Sequence, residues 1–216
     1  MKYKKDFHFF QNEYTKKYPA ANTMRKILLN TVSLDNKRVL DVGCGSGIDL
    51  DYFHKNGAII HGLDISSELI NITKNRFTKA DILEGNFNYL PWKNNYFDIV
   101  WSKYALQHDK NISVSLNEIY RVLKKKSKAF IQFTHPMRSV NYVNSKNYFQ
   151  KGELINYPTV DKKIINEYHH TMTEWIQTIL ETGFKIVYFE EILNRPIKEY
   201  SSPISPSALI LILEKT

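Results

Sequence analysis

Cysteine is almost absent from this chain of 216 residues: Cys44 stands alone. No intramolecular disulfide and no cysteine-based zinc cluster can staple the fold, and a reducing compartment, the cytoplasm, is the expected location. Long apolar runs are missing too. The longest in the C-terminal half, Ala208 to Leu213, falls far short of the roughly 20 residues that a membrane-spanning helix needs. Met1 to Phe10 lacks the uninterrupted apolar stretch of a secretory leader, so neither membrane insertion nor export is expected. No internal repeat or low-complexity tract is present, which excludes solenoids and propellers. Arginine is scarce, six of thirty cations, and this weakens the case for bidentate phosphate recognition. The net charge of +8 invites a nucleic-acid reading, but each side of His108 holds 15 Lys+Arg and 11 Asp+Glu. Such an even spread gives no basic tail.

What is present fits a globular domain of ordinary size, with 43% hydrophobic and 24% charged residues, and a single domain over residues 1–216 is expected. Short β-branched and aromatic runs recur at Arg38 to Val42, Ala58 to Ile65, Phe97 to Trp101, Ala129 to Phe133, Phe184 to Phe189 and Ala208 to Leu213, each of strand length. Helical patterns lie between most of them. Ser66 can cap a helix running toward Phe77, and Ile112, Leu116, Ile119 and Leu123 mark one helical face. Thr171 with Glu174 fits a capping box, and Gly183 can close that helix. The alternation predicts an α/β fold, a doubly wound and mostly parallel sheet with helices on both faces, with ligands beyond the carboxyl ends of the strands. Only a proline-rich loop joins the last two strands, which should therefore pair antiparallel. Two segments fall outside this core: an N-terminal helical cap over residues 1–36, and an irregular, aromatic-rich insertion over residues 135–170, expected to form the substrate side.

The densest signal is Val39-Leu40-Asp41-Val42-Gly43-Cys44-Gly45-Ser46-Gly47, an apolar strand entering three alternating glycines and then a helix. Glycine there allows a sharp turn and close approach of a ligand to the backbone. Asp64, 21 residues after Gly43, ends the next strand, placed to accept hydrogen bonds from the ribose hydroxyls of a nucleoside cofactor. Ile48 stands where a nicotinamide dinucleotide loop has its last glycine. Asp41 would repel a pyrophosphate but attract a sulfonium or an amino group. S-adenosylmethionine carries both cations.

From this loop onward the chain resembles the Rossmann-like S-adenosylmethionine-dependent methyltransferases, and in particular a branch of small bacterial enzymes. Gly85-Asn86-Phe87-Asn88-Tyr89-Leu90-Pro91-Trp92 is similar to the segment after the family's third strand, Phe97-Asp98-Ile99-Val100-Trp101-Ser102 to its fourth-strand motif, and Arg121-Val122-Leu123-Lys124 to the turn before the fifth strand. The resemblance implies seven strands with the last one antiparallel, and S-adenosyl-L-methionine as cofactor. Gly43, Gly45 and Gly47 would cradle its methionine part with Asp41 near the cationic end, Asp64 would hold the ribose with Ile65 beside it, Asn86 and Phe87 would meet the adenine, and Ser102 would complete the set. Asn86 replaces the acidic residue often found there, and Lys125-Lys126-Ser127-Lys128 replaces the usual Pro-Gly-Gly turn.

Methyl transfer is an in-line displacement that requires alignment and exclusion of water but no metal, and histidine suits the base that an oxygen or nitrogen acceptor needs. By position relative to the strand ends, His108, His135 and His169 are the candidate bases, while Tyr14, Tyr104 and His170 are candidate acceptor contacts. Each of these histidines also has a purely structural explanation, bonding a loop carbonyl. The lysine clusters at residues 2–5 and 124–128 are expected to be solvated surface. The expected activity is methylation of an oxygen or nitrogen of a small molecule. RNA methylation and non-catalytic adenosyl-ligand binding remain alternatives, whereas Asp41 and Ile48 disfavour a nicotinamide-dependent oxidoreductase.

Overall fold

The structure, a computed structural model, describes residues 20–139, 147–152, 154–158, 164–193 and 206–216. Helix α1 (Ala20–Thr31) leads into β1 (Arg38–Val42), α2 (Ile48–Lys55), β2 (Ile59–Asp64), α3 (Ser67–Arg76), β3 (Asp81–Glu84) and β4 (Phe97–Lys103). A short 3-10 turn (Leu106–His108), α4 (Ile112–Val122), β5 (Leu123–Thr134) and α5 (Pro136–Ser139) follow. The chain then forms β6 (Leu154–Pro158), β7 (Ile164–Tyr168), α6 (Met172–Glu181), β8 (Phe184–Ile192) and β9 (Ala208–Lys215).

Seven strands form one sheet in the order β3-β2-β1-β4-β5-β9-β8. All pairs up to β4–β5 are parallel, and β9 runs antiparallel to both β5 and β8, as the proline-rich connection predicts. The order reverses between β1 and β4, so the loops leaving these two strands diverge and open a crevice at their carboxyl ends.

Both sheet faces are covered, which is why the central strands read as continuous apolar runs and not as alternating ones. On one face Leu40, Val100, Ile131 and Leu211 pack against Leu116 and Ile119 of α4 and Trp175 and Ile179 of α6. On the other, Val39, Trp101, Phe130 and Ile210 pack against Met24 and Leu28 of α1 and Leu50 and Phe53 of α2. Full burial of each such side chain is worth about 1.5–3 kcal/mol. Two helix starts follow the expected chemistry: Ser66 Oγ accepts from Leu69 N at 3.3 Å and Thr171 Oγ1 accepts from Glu174 N at 3.1 Å. Gly183, at φ 98°, closes α6.

Three sequence expectations are corrected. The 135–170 insertion is not irregular throughout, because β6 and β7 pair antiparallel as a second, two-stranded sheet. The four-residue strand β3, set among charged neighbours, carries no strand pattern of its own and stands where the resemblance implies a third strand. Strand β5 begins at Leu123, before the lysine turn, and its pairing with β4 jumps from Phe97↔Leu123 to Ile99↔Lys128. The turn lysines are also less solvated than expected: Lys124 pairs with Asp98 at 2.7 Å and Lys128 with Glu214 at 3.1 Å.

The connection from β3 to β4, residues 85–95, has little regular structure of its own. Arg121 holds it, donating to Leu90 O and Trp92 O, both at 2.7 Å, and to Asn94 Oδ1 at 2.9 Å, while Glu118 accepts from Leu90 N at 2.8 Å. An Arg121→Met variant strands those acceptors and is expected to lose about 1–3 kcal/mol of stability, read from its urea denaturation midpoint.

Candidate active site

Strand β1 delivers the glycine loop to the crevice. Gly43 N and Cys44 N both donate to Leu63 O, at 2.8 and 3.0 Å, which pins the loop over the end of β2. Gly43 has φ 80°, and a Cβ built on it would lie 2.3 Å from Ala105 Cβ, so the missing side chain is what lets the loop touch the turn after β4. At Gly45 the surroundings are open, since the nearest atom to an added Cβ is Leu69 Cδ1 at 3.8 Å. Thr73 Oγ1 donates to Gly45 O at 2.8 Å.

Asp64, at the end of β2, organises the rim. Its Oδ2 accepts from Gly45 N at 2.8 Å and its Oδ1 from Ser66 N at 2.9 Å. Each oxygen keeps a lone pair for a further donor such as a ribose hydroxyl. Ile65 beside it is 72% exposed, an apolar surface ready to cover a flat ring. Asn86 is exposed and its Oδ1 accepts from Asn88 N at 3.0 Å, whereas Phe87 packs on the core. Ser102 is spent elsewhere: fully buried, it donates to Val42 O at 3.0 Å and ties β4 to β1 beneath the loop.

Below the glycines lies a charged cluster that sequence reasoning missed apart from Asp41. Asp49 on α2 bonds Arg25 of α1 at 2.6 Å and Lys103 of β4 at 2.7 Å. Burial works against its ionisation, but Lys103 and Arg25 hold its carboxyl below the usual range. Asp41 is only 3% exposed. Burial, then the charge of Asp49, pushes its carboxyl well above the ordinary range, and Lys103 offsets this only in part. Among the described residues no hydrogen bond reaches it. A buried carboxyl in that condition gains most from a cationic group, so the donor set fits a sulfonium-bearing nucleoside: acceptors at the ribose rim, a glycine cradle, and an acid beneath.

The acceptor candidates assemble at the carboxyl ends of β4 and β5. Tyr104 stands at φ 55° with its N–H on Gln132 O at 2.7 Å. His108 Nδ1 is 2.6 Å from Asn166 O; the carbonyl can only accept, so Nδ1 carries the proton and Nε2 is left as the acceptor. His135 is buried. Met137 N donates to its Nδ1 at 3.1 Å and its Nε2 reaches Glu191 Oε1 at 2.7 Å, which commits both nitrogens and fixes a neutral ring. Burial lowers its pKa, more than Glu191 restores. His169 Nε2 donates to Tyr148 O and His170 Nε2 to Asp109 O, both at 2.7 Å, and both rings are buried. His170 fastens the insertion to the turn after β4, whereas His169 ties two parts of the insertion to each other. Tyr14 lies outside the described residues.

Strand β7 adds a residue that the sequence did not point to. Glu167 is 7% exposed, and its Oε1 accepts from Gln107 Nε2 at 3.3 Å and Thr134 Oγ1 at 3.2 Å. Burial raises its carboxyl pKa, although His108, the two hydrogen bonds and Arg138 pull the other way. The run Ile164-Ile165-Asn166-Glu167-Tyr168 before the two histidines was the available signal, a short strand with one charge.

Comparison with known proteins points to methyltransferases. The sequence model of a family described as a methyltransferase domain matches residues 40–131. An uncharacterized protein of Methanocaldococcus jannaschii is 33% identical over 189 residues, covering 86% of this chain and 73% of that protein. A malonyl-[acyl-carrier protein] O-methyltransferase of Enterobacter lignolyticus is 30% identical over 87 residues, 40% of this chain and 35% of that enzyme. The matches to the curated methyltransferases span between 19% and 48% of their length. A crystal structure of an S-adenosylmethionine dependent methyltransferase from Mesorhizobium loti superposes with a TM-score of 0.71 at 17% identity, covering 91% of this chain and 96% of that one, and shows the shared fold.

Two consequences can be measured. A Gly43→Ala variant combines left-handed strain with overpacking and should lose about 2–4 kcal/mol in chemical denaturation; adding Ala105→Gly should recover the steric part and leave the strain. For His135 the folded pKa lies below the ordinary value of 6.5, so the unfolded chain binds the proton first as pH falls. Its contribution is complete above that ordinary value and is lost below it. His61, also lowered by burial, acts in the same direction, while the raised carboxyls Asp41 and Glu167 act in the opposite one. The difference isolates His135: between pH 7 and pH 5 the urea midpoint of wild type should fall more steeply than that of His135→Gln.

Proposed function

Since the chain belongs to the Rossmann-like S-adenosylmethionine-dependent methyltransferases, we propose that it transfers a methyl group from S-adenosyl-L-methionine to an oxygen or nitrogen of a small-molecule acceptor. The observation that carries this reading is the pairing of Asp64, which aligns the Gly45 and Ser66 amides, with the buried Asp41 beneath the glycine loop. When bound, the cofactor supplies an electrophilic methyl on a cationic sulfonium. Gly43 to Gly47 hold the methionine part, Asp64 the ribose, and Ile65, Asn86 and Phe87 flank the adenine. Asp41 faces the cationic end, where attraction in a desolvated site exceeds that in water.

An oxygen or nitrogen acceptor must shed a proton as it is methylated. Among the four candidate histidines, His108 is the one that is not buried, and Asn166 O fixes its Nδ1 proton and turns the accessible ring's Nε2 into the acceptor. His135, His169 and His170 have bonds that support positioning roles.

Relatives named for malonyl-[acyl-carrier protein], demethylmenaquinone and glycine or sarcosine methylation support an acceptor other than a nucleic acid. The turn lysines do not favour RNA either, since Lys124 and Lys128 are paired and sit at the amino end of β5, away from the crevice.

In calorimetric titration, S-adenosylmethionine and S-adenosylhomocysteine should bind with micromolar affinity and NADH should not, and Asp64→Ala should weaken adenosyl binding by at least about tenfold, or about 1.4 kcal/mol. Binding of NADH, or of none of the three, would overturn the reading. With methyl-labelled cofactor and a cell extract, label should enter the small-molecule fraction; label confined to RNA would reassign the acceptor.

A further inference from the structure

Glu167 is held at the acceptor side of the proposed site more firmly than a surface carboxylate would be. Its Oε1 is fixed by Gln107 from the turn after β4 and by Thr134 from the end of β5. The neighbouring carbonyl, Asn166 O, holds His108. Ala105, two residues before Gln107, is the residue that touches Gly43. Glu167 is therefore tied to the glycine loop through a short chain of contacts. Oε2 has no hydrogen bond among the described residues, and its hydrogen-bonded neighbour Gln107 carries an acceptor in the same state, since Gln107 Oε1 is buried without a hydrogen-bond partner. Glu167 has thus brought a negative charge into a place where the unfilled position on its neighbour is an acceptor.

Only a donor-rich group answers that set. A hydroxyl brings one N–H or O–H equivalent, whereas an ammonium brings up to three donors and no acceptor, together with the charge that offsets the burial of a carboxylate. We propose that Glu167 is the acceptor-binding carboxylate and that it selects an amine, holding the ammonium at Oε2 beside His108. This rests on the methyltransferase reading above. The chemistry balances: one N–H proton passes to His108 Nε2, the freed nitrogen lone pair forms the bond to the methyl carbon, and the electrons of the breaking C–S bond stay on sulfur. Glu167 remains an anion throughout and stabilises the imidazolium and the methylated ammonium.

Sinefungin, in which a carbon bearing a primary amine replaces the methylated sulfur, carries an ammonium to this place without any acceptor having to be identified. Calorimetry on the full chain, comparing sinefungin with S-adenosylhomocysteine, should give wild type an affinity advantage for sinefungin of about tenfold. Glu167→Gln, which keeps an oxygen for Gln107 and Thr134, should cut that advantage to about threefold or less, the part that Asp41 supplies, and leave the S-adenosylhomocysteine affinity unchanged, a result that also certifies the fold. Glu167→Asp should restore part of it. The groups facing Glu167 are His108, Gln107, Thr134 and Arg138; as pH falls the advantage should shrink in wild type, as Glu167 takes up a proton, and stay flat in Glu167→Gln. The same ratio in both proteins would overturn the assignment while leaving the cofactor reading intact. Failure of wild type to bind either ligand would overturn the cofactor reading, and this assignment with it.

Discussion

The contact between Gly43 and Ala105 is the constraint on which the rest of the site depends. Two parallel strands, β1 and β4, separate in direction at their carboxyl ends because the sheet order reverses between them, and the loops that leave them would ordinarily drift apart. They do not, because position 43 carries no side chain and its backbone takes a conformation that L-residues avoid. The loops on β1 and β2, the proposed cofactor side, are thereby locked to the turn after β4, on the proposed acceptor side. Alignment of two reactants is the main demand of a displacement at a methyl carbon, and this contact supplies the rigid frame for it.

Electrostatics follow from the same geometry. Three acids crowd the glycine loop, and each is treated differently by its surroundings. Asp49 is neutralised by Arg25 and Lys103, which also bind α1 to the body. Asp64 is stabilised by backbone amides of the loops it organises. Asp41 has neither kind of partner among the described residues and is strongly discouraged from ionising. The division gives the crevice two structural carboxylates and one, Asp41, that the proposed function assigns to the cationic end of the ligand.

Much of this was legible in the chain. Strand β1, the Ser66 and Thr171 caps, the antiparallel β9 and the glycine loop all follow from local rules, in which a few adjacent residues decide the conformation. The parts that were not legible depend on burial, which no local pattern encodes. Glu167 reads as one charge in a short polar strand, and gains its character only when β7 folds onto the turn after β4. His135 reads as a free histidine after a strand, but the turn at Met137 and the edge strand β8 occupy both its nitrogens. Ser102 ends a motif segment in the sequence and in space faces the backbone of β1. Strand β3 was hidden because four residues with charged ends carry too little periodicity to register.

The proposed site places an adenosyl ligand on the glycine loop and across the ends of β1 and β2. Amide NMR of the isotopically labelled full chain, titrated with S-adenosylhomocysteine, tests it most directly, because each glycine of the loop reports for itself. The predicted result is a concerted shift of Gly43, Gly45, Gly47, Ile65 and Phe87, with the lysine turn at residues 124–128 unmoved. Saturating ligand that leaves the loop glycines in place, or shifts only residues elsewhere, would contradict the account.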